Sequence, residues 1–185
     1  MAVQMPFDEL NILEVTIDAI KQADPELLKR NRDYYMDEIT DFFVLSYVYG
    51  SSEAGRQLDA EIMPDVEDIF KALEKPIDGK TYRDRLNEYF DNGTSADINR
   101  VLETDMHRIY NTGLWDSAIK AGATQKTWQT MQDPKVRDTH QYLQGVTIPI
   151  DAEFYSFRGG KTLYPGQWGI AEEDCSCRCW VEFSK

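Results

Sequence analysis

The sequence predicts an α+β protein: a largely helical N-terminal region of about four to five helices, then a small α+β module with short antiparallel strands. Three observations predict it. Through the first two-thirds, apolar residues recur at spacings of three and four, the period of a helix buried on one side. From residue 122 onward, short alternating stretches replace that period and glycine, proline and aromatic residues become frequent. Charge divides at the same place, with 25 acidic and 13 basic side chains in residues 1–121 against 8 and 7 in residues 122–185. The expected organisation is therefore an acidic helical domain, 1–121, and a C-terminal α+β module, 122–185.

Each element follows from local signals. Leu10, Leu13, Ile17 and Ile20 mark a first helix over 8–22. Asp24-Pro25 supplies a cap and a first-turn proline for a second, whose stripe of Leu28, Tyr35, Ile39, Phe42 and Phe43 runs to Gly50. Ser51 or Ser52 then caps a third helix burying Leu58, Ile62, Val66, Ile69 and Leu73, with Pro64 predicting a kink or a break. A short helix spans about 80–90. Thr94 and Asp97 form a capping box that opens a long helix through Ile98, Val101, Leu102, Ile109, Leu114 and Ile119, stopped by Gly122. On that helix Glu103 and Asp105 read as surface carboxylates and His107 as a partly buried structural residue.

Beyond the division, "ATQKTWQTM" reads as a strand and "DPKVRDTHQYLQG" as a helix over 134–144, with Asp at the cap and Gly at the end. "VTIPIDAEFYSF" is strand-like, with Pro149 favouring an edge; "RGGKTLYPGQWG" is loop; "CRCWVEF" closes as a strand. Trp115, Trp128, Trp168 and Trp180 are expected to supply core area.

The net charge of −13 disfavours broad coating of nucleic acid by the helical part, since like charge repels a phosphate backbone. No apolar run is long enough to span a bilayer, and the first residues lack a basic stretch followed by a hydrophobic one. The expectation is a soluble chain, not exported by that route, with no membrane partner.

All three cysteines, Cys175, Cys177 and Cys179, fall within five residues. They cannot all pair within one chain, and Cys-x-Cys neighbours make awkward disulfides, so thiols in a reducing compartment or metal ligands are the candidate roles. His140 with the three cysteines makes four ligands, the number zinc takes, and zinc is the candidate cofactor. The spacing is not that of common zinc modules. Alternate side chains on a strand stand about 7 Å apart, so chelation by all three needs a turn. A second reading uses the spacing of Asp133, Arg137 and His140, which on a helix would share one face. That face could do acid–base work, with Arg137 holding an anion. The plain reading of the same residues is a capping Asp133 in a surface ion pair with Arg137, worth under about 1 kcal/mol.

These pieces line up in order: Lys126 and Trp128, Asp133, Arg137, His140, Gly145, Phe154, Pro165-Gly166, and Cys177-Arg178-Cys179. In that order the run resembles the phage Mu F-like minor head proteins, the head morphogenesis proteins of tailed phages, over about 97–180. Two departures stand out: Cys175 lies outside the Cys-x-Cys pair, and Lys135 stands where the family often has arginine. In addition, Glu103-Thr104 reverses the family's usual order. The resemblance implies a virion component in the capsid interior, made in the host cytoplasm during assembly. It implies partners in the portal or major capsid protein, a role in DNA packaging or ejection, and contact with phage DNA through the C-terminal module. It implies no established enzyme activity; a small nuclease or hydrolase, or a zinc-stabilised binding module, is the alternative.

Overall fold

The structure, a computed structural model, describes residues 7–185. Of the first expected helix, the side chain of Leu10 lies outside the described residues. In chain order the elements are α1 (Phe7–Ala23), α2 (Pro25–Arg30), α3 (Arg32–Leu58), α4 (Val66–Glu74), α5 (Tyr82–Asn92) and α6 (Ser95–Lys120), all helices. Then follow β1 (Gln125–Gln129), α7 (Asp138–Gln141), β2 (Thr147–Pro149), β3 (Phe154–Tyr155), β4 (Lys161–Thr162), α8 (Ala171–Asp174) and β5 (Trp180–Ser184). The protein is α+β, as its two hydrophobic periods predict.

Local chemistry sets most helix starts. The Asp24 carboxylate accepts from the Leu27 amide at 3.0 Å, ahead of Pro25 in the first turn of α2. The Asp97 carboxylate accepts from both the amide and the hydroxyl of Thr94, which closes the expected capping box of α6. Pro64 breaks the chain between α3 and α4, where the missing amide and the ring exclude helix.

Three helix expectations are corrected. The stripe from Pro25 to Gly50 is two helices, because α2 ends at Asn31, whose amide bonds back to the carbonyls of Leu27 and Leu28. Ser51 and Ser52 cap nothing: α3 runs through them to Leu58. Gly50 is a notch and not a stop. A Cβ there would lie 2.1 Å from the Tyr110 carbonyl oxygen, and one on Gly113 would lie 2.2 Å from that of Tyr47. The two glycines let α3 and α6 cross backbone to backbone, with Ser51 donating to the Gly113 carbonyl. Finally, the helix expected over 134–144 shrinks to the single turn of α7, with Arg137 at its cap in extended conformation.

α3 and α6 form the spine, α1, α4 and α5 pack against it, and α2 packs on α1 and α5. Ile39, Phe43, Tyr47, Leu102, Met106, Ile109 and Leu114 are buried along it, each contributing roughly 1.5–3 kcal/mol. Asp105 is not a surface group: it is fully buried, taking Arg85 at 2.5 and 2.7 Å and Arg108 at 3.1 Å.

The strands make an antiparallel sheet in the order β2-β1-β5, with Pro149 on the edge strand, and a separate β3-β4 pair. β5 begins at Trp180, so Cys177 and Cys179 precede it. The apolar core is continuous across both regions, from Ile17 and Leu28 to Trp128, Phe154 and Phe183. Polar ties join the same surfaces: Asn111 donates to the Cys179 carbonyl, Thr104 accepts from the Ser176 amide, and Gln57 accepts from the Phe183 amide. No described helix is long and apolar enough to cross a membrane.

Candidate metal centre

β1 sends alternate side chains inward, and Lys126 and Trp128 are both fully buried. Burial lowers the Lys126 amine to about 8. Its Nζ donates to the Ile150 carbonyl at 2.8 Å and sits 4.5 Å from the centre of the Trp115 ring. Trp128 meets the His140 ring edge-on at 5.5 Å, while Trp168 stacks on it at 5.7 Å and 14°. Gly145, at φ +74°, turns the chain so that its amide reaches the Trp128 carbonyl at 2.8 Å. Phe154 packs edge-on against Trp128, with ring centres 5.0 Å apart.

His140 is buried on α7, and its Nδ1 lies 3.6 Å from the sulfurs of both Cys177 and Cys179. Those three ligand atoms lie within 4.8 Å of one another, an arrangement able to hold a metal ion. With Zn–S near 2.3 Å, Zn–N near 2.05 Å and a tetrahedral angle, nitrogen and sulfur on one zinc stand about 3.6 Å apart. The donor set and the spacing therefore fit zinc. One of the two thiols is biased toward deprotonation: hydrogen bonding to Cys179 and to His140 holds Cys177 well below the ordinary thiol range. Its thiolate and burial push Cys179 up. Beside the triangle, Lys135, Arg137, Ser176 and Arg178 rim a recess of about 10 Å³, the lower limit for one water.

Cys175 does not join this triangle. Ser176 takes a left-handed turn (φ +52°), which interrupts the alternation that would carry the first thiol to the face of the other two. Cys175 instead lines a cleft between α5 and α6, and burial raises its thiol.

The remaining sequence candidates are each engaged elsewhere. Asp133 pairs with Arg178, through two bonds of 2.7 and 2.8 Å, and not with Arg137. The guanidinium holds the Asp133 carboxyl below its usual range. Arg137 donates to two backbone carbonyls of the α8 turn, those of Glu173 (3.2 Å) and Cys175. Asp133, Arg137 and His140 thus share no helical face. Gly166, at φ +82° beside Pro165, lies against α6, where a Cβ would come 3.0 Å from Cα of Arg108. His107 is held neutral by burial, which lowers it to about 4.

Sequence reasoning missed Glu173. This carboxylate is fully buried, accepts from Ser156 at 2.6 Å and Thr139 at 2.8 Å, and lies 3.1 Å from His140 Nε2. Burial works to raise it, but the two hydroxyls, His140 and Arg137 outweigh burial and hold it below the usual range. Its neighbour Asp174 accepts from the amides of Trp168 and Gly169. Burial nevertheless lifts Asp174 to about 6. No spacing rule marks Glu173 among the chain's 33 acidic residues.

The profile of the family described as "Phage Mu protein F like protein" matches residues 66–182, from the start of α4 into β5. The chain belongs to the Phage Mu protein F-like family. One relative is Minor head protein GP7 of Bacillus phage SPP1, 37% identical over 82 residues, covering 43% of this chain and 27% of that protein. Another is NAD(+)--arginine ADP-ribosyltransferase EFV of Enterococcus faecalis (strain ATCC 700802 / V583). It is 27% identical over 146 residues, covering 60% of this chain and 30% of that protein. The chain thus spans less than a third of the length of each of these relatives. No solved structure matches it. In this Mu F-like chain the family match takes in His140, Cys177, Cys179 and Glu173 alike.

Proposed function

We propose that this Mu F-like chain is a minor head component of a phage virion, with a structural and docking role in head morphogenesis. The observation that carries this reading is the family match over 66–182 together with a minor head protein among the relatives. In this reading the acidic helical part, residues 1–121, meets the portal or the major capsid protein. The module of residues 122–185 is closed by zinc on His140, Cys177 and Cys179. The protein is made in the host cytoplasm, ends inside the capsid, and assists packaging or ejection of DNA, with the C-terminal module as the part that could touch it.

The geometry favours this over the hydrolase reading. His140 is buried between two indoles beside a recess of only about 10 Å³, Arg137 is spent on carbonyls and Asp133 on Arg178, so these three residues do not form an acid–base group facing a substrate-sized opening. The transferase relative's named activity is not carried over: it shares 27% identity, and only 30% of that protein is covered.

The test is genetic and biochemical. Procapsids should carry the chain together with portal, and heads lacking it should assemble or fill poorly. Heads that are fully assembled, packaged and infectious after its deletion would sink the reading. Elemental analysis of the purified chain should find about one zinc per molecule, the stoichiometry of a single tetrahedral site.

A further inference from the structure

We propose that the outer face of α3, with the loop that leads from it into α4, is a docking groove for a positively charged amphipathic helix of another protein. This rests on the docking role proposed above and goes beyond it, since it assigns the face and the chemistry of the contact.

Leu45, Val48 and Tyr49 stand at spacings of three and four on α3, and all three are exposed. Past the end of α3, Met63 is 82% exposed. Val66 and Phe70, four apart on α4, are exposed as well, although Ile69, Ala72 and Leu73 of the same helix are buried. Val48 and Met63 line one groove of about 650 Å³, together with Ser52, Gly55, Ile62 and Pro64. The groove thus joins the exposed run of α3 to the segment that opens α4. Single apolar side chains scattered on a surface need no explanation, but a set gathered around one groove marks a contact surface. The groove is lined by α3 and the loop after it and by no strand. A partner therefore finds no sheet edge to extend and must insert side chains, as an amphipathic helix does.

Charge selects the partner. Asp59 and Glu61 line the groove, Asp41 lies one turn before Leu45 on α3, and Asp65 stands at the start of α4, all exposed. The nearby cations are already paired, Arg56 with Glu53 at 2.7 Å and Lys71 with Glu67 at 3.0 Å. An apolar run inside an acidic rim fits a helix with apolar anchors at three- and four-residue spacing and lysine or arginine beside them. The same rim works against other occupants. A second copy would set these carboxylates against themselves, and a nucleic acid would bring phosphates to a chain of net charge −13.

The experiment has two arms. In the first, fluorescence anisotropy follows binding of the full chain to a labelled amphipathic peptide with leucine on one face and lysine on the other. Wild type should bind it, and Val48→Ser/Met63→Ser should bind at least about tenfold more weakly, the scale of losing interface anchors. Asp59→Asn/Glu61→Gln should weaken binding by about threefold or more. Glu26→Gln/Asp33→Asn, which removes two carboxylates on α2 and the first turn of α3, should stay within about twofold of wild type. Equal losses in the two carboxylate pairs would reduce the binding to overall charge and overturn the inference, as would a serine variant that binds like wild type. Sedimentation should find a monomer; a dimer that Met63→Ser dissolves would give the face to a second copy and overturn the inference too. The second arm counts copies of the chain in procapsids. Val48→Ser/Met63→Ser should enter at about a tenth of the wild-type level or less. Entry at the wild-type level would overturn the docking face and leave the head role intact, whereas wild type missing from procapsids would sink the head role itself. Should the double variant fail to fold, Met63→Ser, whose side chain is mostly in solvent, takes its place with the same expected direction.

Discussion

The helical region and the strand-bearing C-terminal region share one core but are held in different ways. In the helices, long apolar stripes bury residues such as Phe43, Tyr47, Leu102 and Ile109, and two glycines bring α3 against α6. Past Lys120 the strands are two to five residues long and too short to specify themselves. There the chain is set by polar knots: Glu173 with two hydroxyls and an imidazole, Asp174 with two amides, Asp133 with Arg178, and the sulfur–imidazole triangle. Diffuse burial tolerates change at many points, whereas a knot fails when one member is removed.

The sharpest challenge to that comparison lies inside the helical region, at the buried cluster of Asp105, Arg85 and Arg108. Asp105→Ala strands Arg108, 1% exposed, without its carboxylate. Breaking one partner of a buried pair costs about 3–5 kcal/mol, which urea titration would show as a large fall in the midpoint. A loss under about 1 kcal/mol would mean the cluster behaves as a surface pair and the helical region is held by burial alone.

Lys126 tests the other side. Its amine sits near 8 in the fold against an ordinary 10.5, so the unfolded chain binds the extra proton between those values. Stability from this group is present above about 10.5 and lost as pH falls through about 8; the full window is worth about 3 kcal/mol. Lys126→Met has no such proton. The stability of wild type relative to the variant should therefore rise by about that amount from pH 7 to 10.5. A flat difference would show that the Ile150 carbonyl and the Trp115 face fully compensate the buried charge.

Next in size is Gly113→Ala. The added methyl would meet the Tyr47 carbonyl oxygen at 2.2 Å and its carbon at 2.9 Å, both backbone atoms that cannot swing aside. Overpacking of this kind costs up to about 3 kcal/mol, and alanine returns about 1 kcal/mol as the better helix former, leaving a net loss near 2. A neutral or stabilised variant would show that α3 and α6 are not locked at this crossing.

The same glycines explain what could be read from sequence. Period and capping gave α1, α5 and α6, because those signals are local. Gly50-Ser51-Ser52 carries the letters of a helix end and start, but Gly50 answers to a contact with Tyr110, 60 residues away along the chain by their numbers. Asp133-Pro134 likewise resembles a helix start, yet Arg137 stays extended at the cap of α7 while its side chain reaches α8. His140, Cys177 and Cys179 were legible by residue type alone. Glu173 was not, since a carboxylate behind a histidine obeys no spacing.

Cys175 gives the smallest expected effect and bears directly on where the knot ends. Its thiol faces the α5–α6 cleft, and Arg137 uses its backbone carbonyl and not its sulfur. Cys175→Ser keeps that carbonyl and leaves Ser176 free to hold its left-handed turn. Zinc content should stay at about one per chain, with affinity within about twofold of wild type, while Cys177→Ser or Cys179→Ser should remove a ligand and most of the binding. If Cys175→Ser instead lost zinc as Cys177→Ser does, the first thiol would have to swing in as a fourth ligand. The recess beside Arg137 and Ser176 would then close over the ion, and the triangle would be the resting form of a four-ligand site.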